Sequence, residues 1–143
     1  MHEFAAAIER AEIIVGFNSI AFDNAVIKAC WEPLVKMPVD WQSKSYDLLV
    51  ETWAAASLGP KFVYPSHMGY GLDAMCEINF GTKKTGHGAK APIYWQQGAI
   101  GNVIDYCLND VRLTKQLFDA VLAGKPIRSP KEISSSLTLR IPT

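Results

Sequence analysis

The sequence predicts a mixed α/β protein, and three features lead to that prediction. Residues Ile100–Leu122 carry apolar side chains at every third or fourth position, the period of a long helix that buries one stripe. Residues Ile13–Phe17 form a short, continuous run rich in β-branched side chains, which is typical of a strand covered on both faces in a parallel sheet. Helical and strand patterns alternate along the chain, which is the order found in α/β proteins.

Length and composition narrow the class of protein. The 143 residues are 49% hydrophobic and 20% charged, with no apolar run of 18 residues and no leader-like start, so we expect one soluble, cytoplasmic unit with no membrane partner. Basic and acidic residues number 14 each, which excludes a strongly basic surface but not nucleic-acid binding. The three cysteines, Cys30, Cys76 and Cys107, lack metal-ligand spacing and are predicted to be reduced, buried thiols.

The remaining elements follow from local signals. Helices are predicted at His2–Ala11, at Ala25–Cys30, at Thr52–Leu58 and at Gly71–Gly81, and a second strand at Tyr46–Val50. Residues Gly59–Tyr70 form a predicted loop with some buried aromatic rings. Residues 1–124 are predicted to form the main domain and residues 125–143 a tail, in which Leu137–Ile141 is either an added edge strand or loosely held.

Two pairs of polar residues are candidates for a site. Asn18 and Asp23 follow the first strand, at the end of a parallel sheet where ligands usually bind. The alternative is that Asn18 only makes the turn and that Asp23 or its neighbour caps the next helix. Tyr106 and Asp110 lie four apart on the long helix, so their side chains project side by side. The alternative there is a solvated aspartate next to a tyrosine.

These residues resemble two motifs of one nuclease family. Tyr106-x-x-x-Asp110 resembles the third exonuclease motif of the RNase H-like DEDD superfamily, in its tyrosine subclass. Asn18-x-x-x-Phe22-Asp23 resembles the second motif, as found in proofreading domains of family B polymerases and in stand-alone bacterial and phage relatives. The resemblance extends from about residue 13 to residue 122 and implies an RNase H-like fold with 3′–5′ exonuclease activity on DNA or RNA ends.

The resemblance also implies roles for individual residues. Asp23 and Asp110 would bind Mg²⁺ or Mn²⁺, Tyr106 would orient the attacking water, and Asn18 and Phe22 would shape the pocket for the terminal nucleotide. Asp47 matches an acidic position of the family, but we expect it to have a hydrogen-bonding role at the end of its strand.

A lysine-containing loop follows the predicted helix Gly71–Gly81. Its lysines, of which Lys83 and Lys84 are the candidates, are positioned to contact phosphates, and the alternative is an ordinary solvated loop.

One part of the family pattern is missing. No Asp-x-Glu, the first motif, occurs anywhere in the sequence, so we expect an amino-terminally truncated fold that lacks the first three strands. Two carboxylates suffice for weak or single-ion binding but not for a two-metal centre. The alternative functions are a catalytically inactive module that binds nucleic acid or protein, and an assembly protein in which the acids have no role.

The truncation leads to a prediction about assembly. Loss of the first strand would leave one edge of Ile13–Phe17 with unpaired backbone groups, and such an edge recruits a further strand. We therefore expect a homodimer or higher oligomer, or a partner chain that supplies the missing strands, with Leu137–Ile141 able to join the same sheet.

Overall fold

The computed structural model describes residues 2–34, 40–82, 90–132 and 134–142. About 53% of this described part is helical and the rest includes a few short strands, so the predicted mixed α/β class is confirmed. Within it, no helix combines the length and the apolar character needed to cross a membrane.

The predicted elements occur in the predicted order, whereas a helix at Lys90–Gln96 and a strand at Ile127–Arg128 were not predicted. In chain order they are α1 (His2–Arg10), β1 (Ile14–Gly16), α2 (Asp23–Cys30), a 3-10 turn (Trp41–Lys44), β2 (Ser45–Asp47), α3 (Leu48–Ala55), α4 (Leu72–Phe80), α5 (Lys90–Gln96), α6 (Ile100–Leu122), β3 (Ile127–Arg128) and β4 (Ser136–Leu137).

The strands form two small sheets. β1 and β2 are parallel, with Val15 opposite Tyr46 and Gly16 opposite Asp47. β3 and β4 are antiparallel. Among the described residues β2 is the only strand that pairs with β1, and the three residues of β1 are half-buried. The predicted strand therefore exists, but it is shorter than expected and lies at a sheet edge.

The long helix α6 has the bounds that the periodicity predicted. It is followed by Gly124 in the left-handed conformation (φ 65°), and the N–H of Lys125 donates to the carbonyl of Ala120 at 3.0 Å, which closes the last turn. In contrast, α3 begins at Leu48 rather than Thr52, because the Asp47 carboxylate accepts a hydrogen bond from the N–H of Leu49 and caps the helix there.

The core lies around the second half of α6. Leu117, which is fully buried, packs with residues of α3, α4, β2 and the carboxyl-terminal strands; the buried cluster includes Tyr46, Leu48, Trp53, Met75, Val121, Ile127, Leu137 and Leu139. The residues after α6 thus contribute to the core, and Ser136–Leu137 pairs with β3 rather than with the β1 sheet.

Two of the three cysteines differ from the prediction. Cys76 is buried, whereas Cys30 and Cys107 are exposed. The apolar pattern around Cys107 correctly indicated a helix, but the face on which Cys107 lies is not covered in the structure. Burial of the thiol was therefore predicted correctly only for Cys76.

Candidate functional site

The turn after β1 is built on two backbone features. Asn18 adopts the left-handed conformation (φ 62°), and its carbonyl accepts the N–H of Phe22 at 3.1 Å. Gly16 is required where it stands, because a Cβ there would lie 2.3 Å from both Cβ and Oγ of the buried Ser19. The chain thus folds back tightly over the end of its own strand.

Asp47 holds this turn in place. The residue is only 2% exposed, and its carboxylate accepts the N–H of Asn18 at 2.8 Å and the N–H of Ile20 at 2.9 Å, in addition to the α3 cap. Three backbone donors therefore converge on one buried side chain, which joins the end of β2 to the loop that follows β1. The predicted hydrogen-bonding role of Asp47 is confirmed.

Asp23 occupies the first turn of α2, where its negative charge lies at the positive end of the helix dipole. The N-cap is Phe22, so neither Asp23 nor Asn24 caps the helix. Asn24 is buried instead, and its amide donates to Ser45 Oγ at 3.0 Å, which fastens α2 to the start of β2.

Asp23 and Asp110 line one cavity of about 410 Å³, which we call the two-carboxylate cavity. It runs along β1 to Phe17 and Ser19, so it includes the carboxyl end of the strand. α6 contributes Asp110 together with three neighbouring residues, and much of the remaining wall is apolar; it includes Phe4, Ile8, Ile27, Trp41 and Leu72. The two acids named by separate motifs are thus brought together.

The electrostatics of this cavity are seen at Asp23. Burial raises the pKa of the Asp23 carboxyl above its ordinary value of 3.8, a hydrogen bond from the backbone lowers it, and the nearby charge of Asp47 raises it further. A cation binds the ionised carboxylate, so metal binding at Asp23 requires that the carboxyl first loses its proton. Desolvation and the like charge of Asp47 both oppose that loss.

The other predicted site residues are distributed differently. Tyr106 is half-buried and is not among the α6 residues that line the cavity, which are Cys107, Asp110, Val111 and Thr114. Phe22 is 63% exposed and lines neither this cavity nor the second one described below. Lys83 and Lys84 lie outside the described residues.

The donor set fits one hard cation and no more. Mg²⁺ accepts one or two carboxylates and keeps several waters, and Mn²⁺ prefers the same oxygen ligands, so Asp23 and Asp110 suit a single ion. Among residues 2–34, 40–82, 90–132 and 134–142, no group of three or more His, Cys, Asp or Glu side chains is placed to hold a metal. A two-metal centre therefore requires further ligands.

A second cavity, of about 630 Å³, was not assigned from the sequence. It lies at the carboxyl ends of both parallel strands, and Asn18 belongs to it rather than to the two-carboxylate cavity. Its walls include Trp53, Phe62, His67 and Tyr70. The aromatic content of the loop 59–70 was a usable signal, but only the fold shows that Trp53 of α3 faces the same space.

The chain was compared with protein-family models, with curated proteins and with solved structures, and none of the three comparisons finds a significant match. The candidate site therefore has to be interpreted from its own residues.

Proposed function

We propose that this chain is a 3′–5′ exonuclease-like domain, which hydrolyses phosphodiester bonds at nucleic-acid ends with Mg²⁺ or Mn²⁺ once the site is completed. One observation carries the proposal: Asp23 and Asp110, from two motifs far apart in the sequence, line the same cavity at the end of a parallel strand. The two parallel strands, the crossover through α2 and the long helix α6 support an RNase H-like fold that lacks its first three strands.

The proposed roles follow from position. Asp23 and Asp110 would hold the divalent ion, which supplies charge stabilisation for the phosphoryl oxygens and an ionised water at neutral pH. Tyr106 precedes the α6 residues that line the cavity, so its hydroxyl would act at the rim, on a water or a phosphate oxygen. Asn18 follows β1 and lines the second cavity, where the end of a strand of DNA or RNA would enter.

Completion of the site requires a further strand. The cavity runs along β1, which borders one strand only in the described chain, so an added strand would contribute its side chains directly to the cavity. We propose that a partner chain supplies this strand, either a second copy or a chain with additional carboxylates.

The partner strand is testable by light scattering. The unmodified chain should be an assembly, and Val15→Pro should dissociate it or aggregate, because proline removes a backbone donor from the paired edge. A monodisperse monomer would contradict pairing between identical copies, and the remaining possibility would then be a heterologous partner.

The catalytic proposal is tested with a single-stranded oligonucleotide labelled at its 5′ end, in Mg²⁺ or Mn²⁺, with and without an added peptide strand that carries Asp-x-Glu. We expect stepwise shortening from the 3′ end in the completed sample and none with Asp110→Asn. A completed sample that leaves the oligonucleotide intact in both metals would exclude exonuclease activity.

A second candidate function is supported by the composition of the cavity wall. Apolar side chains surround the two carboxylates and Tyr106 is absent from the lining, which suits a binding module without catalysis. Such a module would bind nucleic acid or protein without metal. Asp110→Asn would then leave affinity in EDTA unchanged, whereas a metal-dependent site would lose the increase in affinity that Mn²⁺ produces in the unmodified chain.

A further inference from the structure

The second cavity, which we call the aromatic pocket, is bounded on one side by fixed rings. Trp53 and His67 are buried and meet edge to face, with ring centroids 4.7 Å apart at 78°. His67 Nε2 lies 2.9 Å from the carbonyl oxygen of Gly59. The other ring nitrogen, Nδ1, lies 2.9 Å from Ser66 Oγ and 3.2 Å from the carbonyl oxygen of Val63. The imidazole is therefore held at both nitrogens.

Another part of the wall of the aromatic pocket is exposed to solvent. Phe62 is 59% exposed, and its ring centroid lies 6.4 Å from that of Trp53 and 6.1 Å from that of His67. The exposed part of this ring is therefore accessible for stacking with a flat ligand. The volume of the pocket, about 630 Å³, lies in the range of sites for small organic ligands.

The mouth of the pocket carries a polar group suited to the edge of a base. Both backbone groups of Asn18 are engaged, its N–H with Asp47 and its carbonyl with Phe22, which fixes the residue while leaving it exposed. The Asn18 side-chain amide offers a donor and an acceptor together, and this pair matches the hydrogen-bonding edges of nucleobases.

The two cavities are neighbours, since Phe17 lines both of them. A nucleotide whose base stacks in the aromatic pocket would therefore direct its sugar and phosphate past Phe17 towards Asp23 and Asp110. We propose that the aromatic pocket binds one nucleobase of a single-stranded nucleic acid, with Phe62 as the stacking ring; the choice of a base among flat ligands rests on the proposed function.

The test is made in EDTA, so that it does not depend on the metal or on cleavage. Binding of a fluorescein-labelled single-stranded DNA is measured by anisotropy for the unmodified chain, for Phe62→Ala and for Val63→Ala. Stacking on an aromatic ring contributes about 1–3 kcal/mol per base, so Phe62→Ala should weaken binding by roughly 5- to 150-fold. Val63 is 56% exposed in the same loop and is not part of the pocket, so its variant should bind as the unmodified chain does.

An abasic strand of the same length separates stacking from phosphate contacts. It should bind the unmodified chain as weakly as the normal strand binds Phe62→Ala. Equal binding of the normal and abasic strands, or an unchanged affinity in Phe62→Ala, overturns the inference even if the chain proves to be a nuclease. Displacement by N-acetyltryptophanamide but not by nucleoside monophosphates would also overturn it, and would indicate a pocket for aromatic peptides. Stacking in EDTA without any cleavage would leave this inference standing and refute only the catalytic proposal.

Discussion

The apolar residues of α6 lie on two faces that have opposite surroundings. In the second half of the helix, the apolar positions Leu113, Leu117 and Val121 are buried in the core. In the first half, Ile104, Leu108 and Val111 are exposed, and Val111 reaches 64%; at about 100° per residue, these three lie on the side of the helix opposite the buried positions. α5 packs on the helix without burying any of its own residues.

This difference shows which structural features the apolar period of α6 predicts and which it does not. A period of three to four residues indicates a helix with one apolar face; the helix was predicted correctly over all 23 residues of α6, but its apolar residues occupy two faces, of which one is buried. The period does not say which face is covered. Asp110 lies at the boundary between the halves, so the candidate site is formed where the core ends and the uncovered surface begins.

The largest expected effect on stability comes from truncating a leucine to alanine in each half of α6. Leu117→Ala removes a fully buried side chain and should lower the free energy of unfolding by about 3–5 kcal/mol, because a cavity is left in the core. Leu108→Ala, at a residue that is 45% exposed, should cost less than about 1 kcal/mol. Urea denaturation of both variants measures the contrast. Equal costs would mean that the first half of α6 is covered in solution, for example by a partner.

Asp47→Asn tests the hydrogen bonds that join the end of β2 to the turn after β1. The carboxylate accepts three backbone N–H groups through both oxygens, and an amide would place a donor against the N–H of Ile20. We expect a loss of about 2–4 kcal/mol of stability, because a buried donor loses its charged acceptor. Hydrogen exchange should report faster exchange at Asn18 and Ile20 than in α6. A uniform increase in the hydrogen-exchange rate over the whole chain would contradict a local role for Asp47.

Gly16→Ala should have an intermediate effect. The new Cβ would lie 2.3 Å from Ser19, whose Cβ is close to the backbone and has little room to move, so the turn before Asp23 must shift. We expect a cost of roughly 1–3 kcal/mol, as for overpacking elsewhere. Gly101→Ala is a matched control, since nothing lies within 4 Å of a Cβ there and alanine favours helix. A similar destabilisation by both would argue against contact with Ser19.

Much of the fold was predictable because its signals are local. Periodicity and the glycine at position 124 were sufficient for α6, and the glycine at position 81, in the left-handed conformation, ends α4 as expected. The start of α3 was predicted four residues late, because the apolar run 48–50 is typical of a strand as well as of a helix, and Asp47 caps the helix before it. The short strands and the exposure of Cys107 depend on which elements cover one another, and no local pattern encodes that.

The site was predictable to a smaller extent. The sequence indicated Asp23 and Asp110 as candidate ligands, and both line one cavity in the structure. It did not identify the aromatic pocket, because Trp53 and His67 come from different elements and meet only through the packing of α3 against the loop 59–70. Ring contacts of this kind have no spacing rule along a chain.

The smallest expected effect on stability concerns the ionisation of Asp23. Burial and the charge of Asp47 raise the pKa of this carboxyl in the folded state, so the folded chain holds the proton more tightly than the unfolded chain. Its contribution to stability therefore becomes less favourable as the pH rises from about 3.8 through the raised pKa, and is constant above it. Asp23→Asn does not titrate, so its stability relative to the unmodified chain should increase over this window.

Added Mn²⁺ should reverse the sign of this pH-dependent difference in stability between the unmodified chain and Asp23→Asn. The ion binds the ionised carboxylate, so it should stabilise the unmodified chain increasingly as the pH rises through the same window, while the Asp23→Asn variant gains little. Thermal unfolding at several pH values, with and without Mn²⁺, measures both trends. If the two chains respond to Mn²⁺ equally at every pH, Asp23 is not a metal ligand, and the proposed metal-dependent catalysis fails.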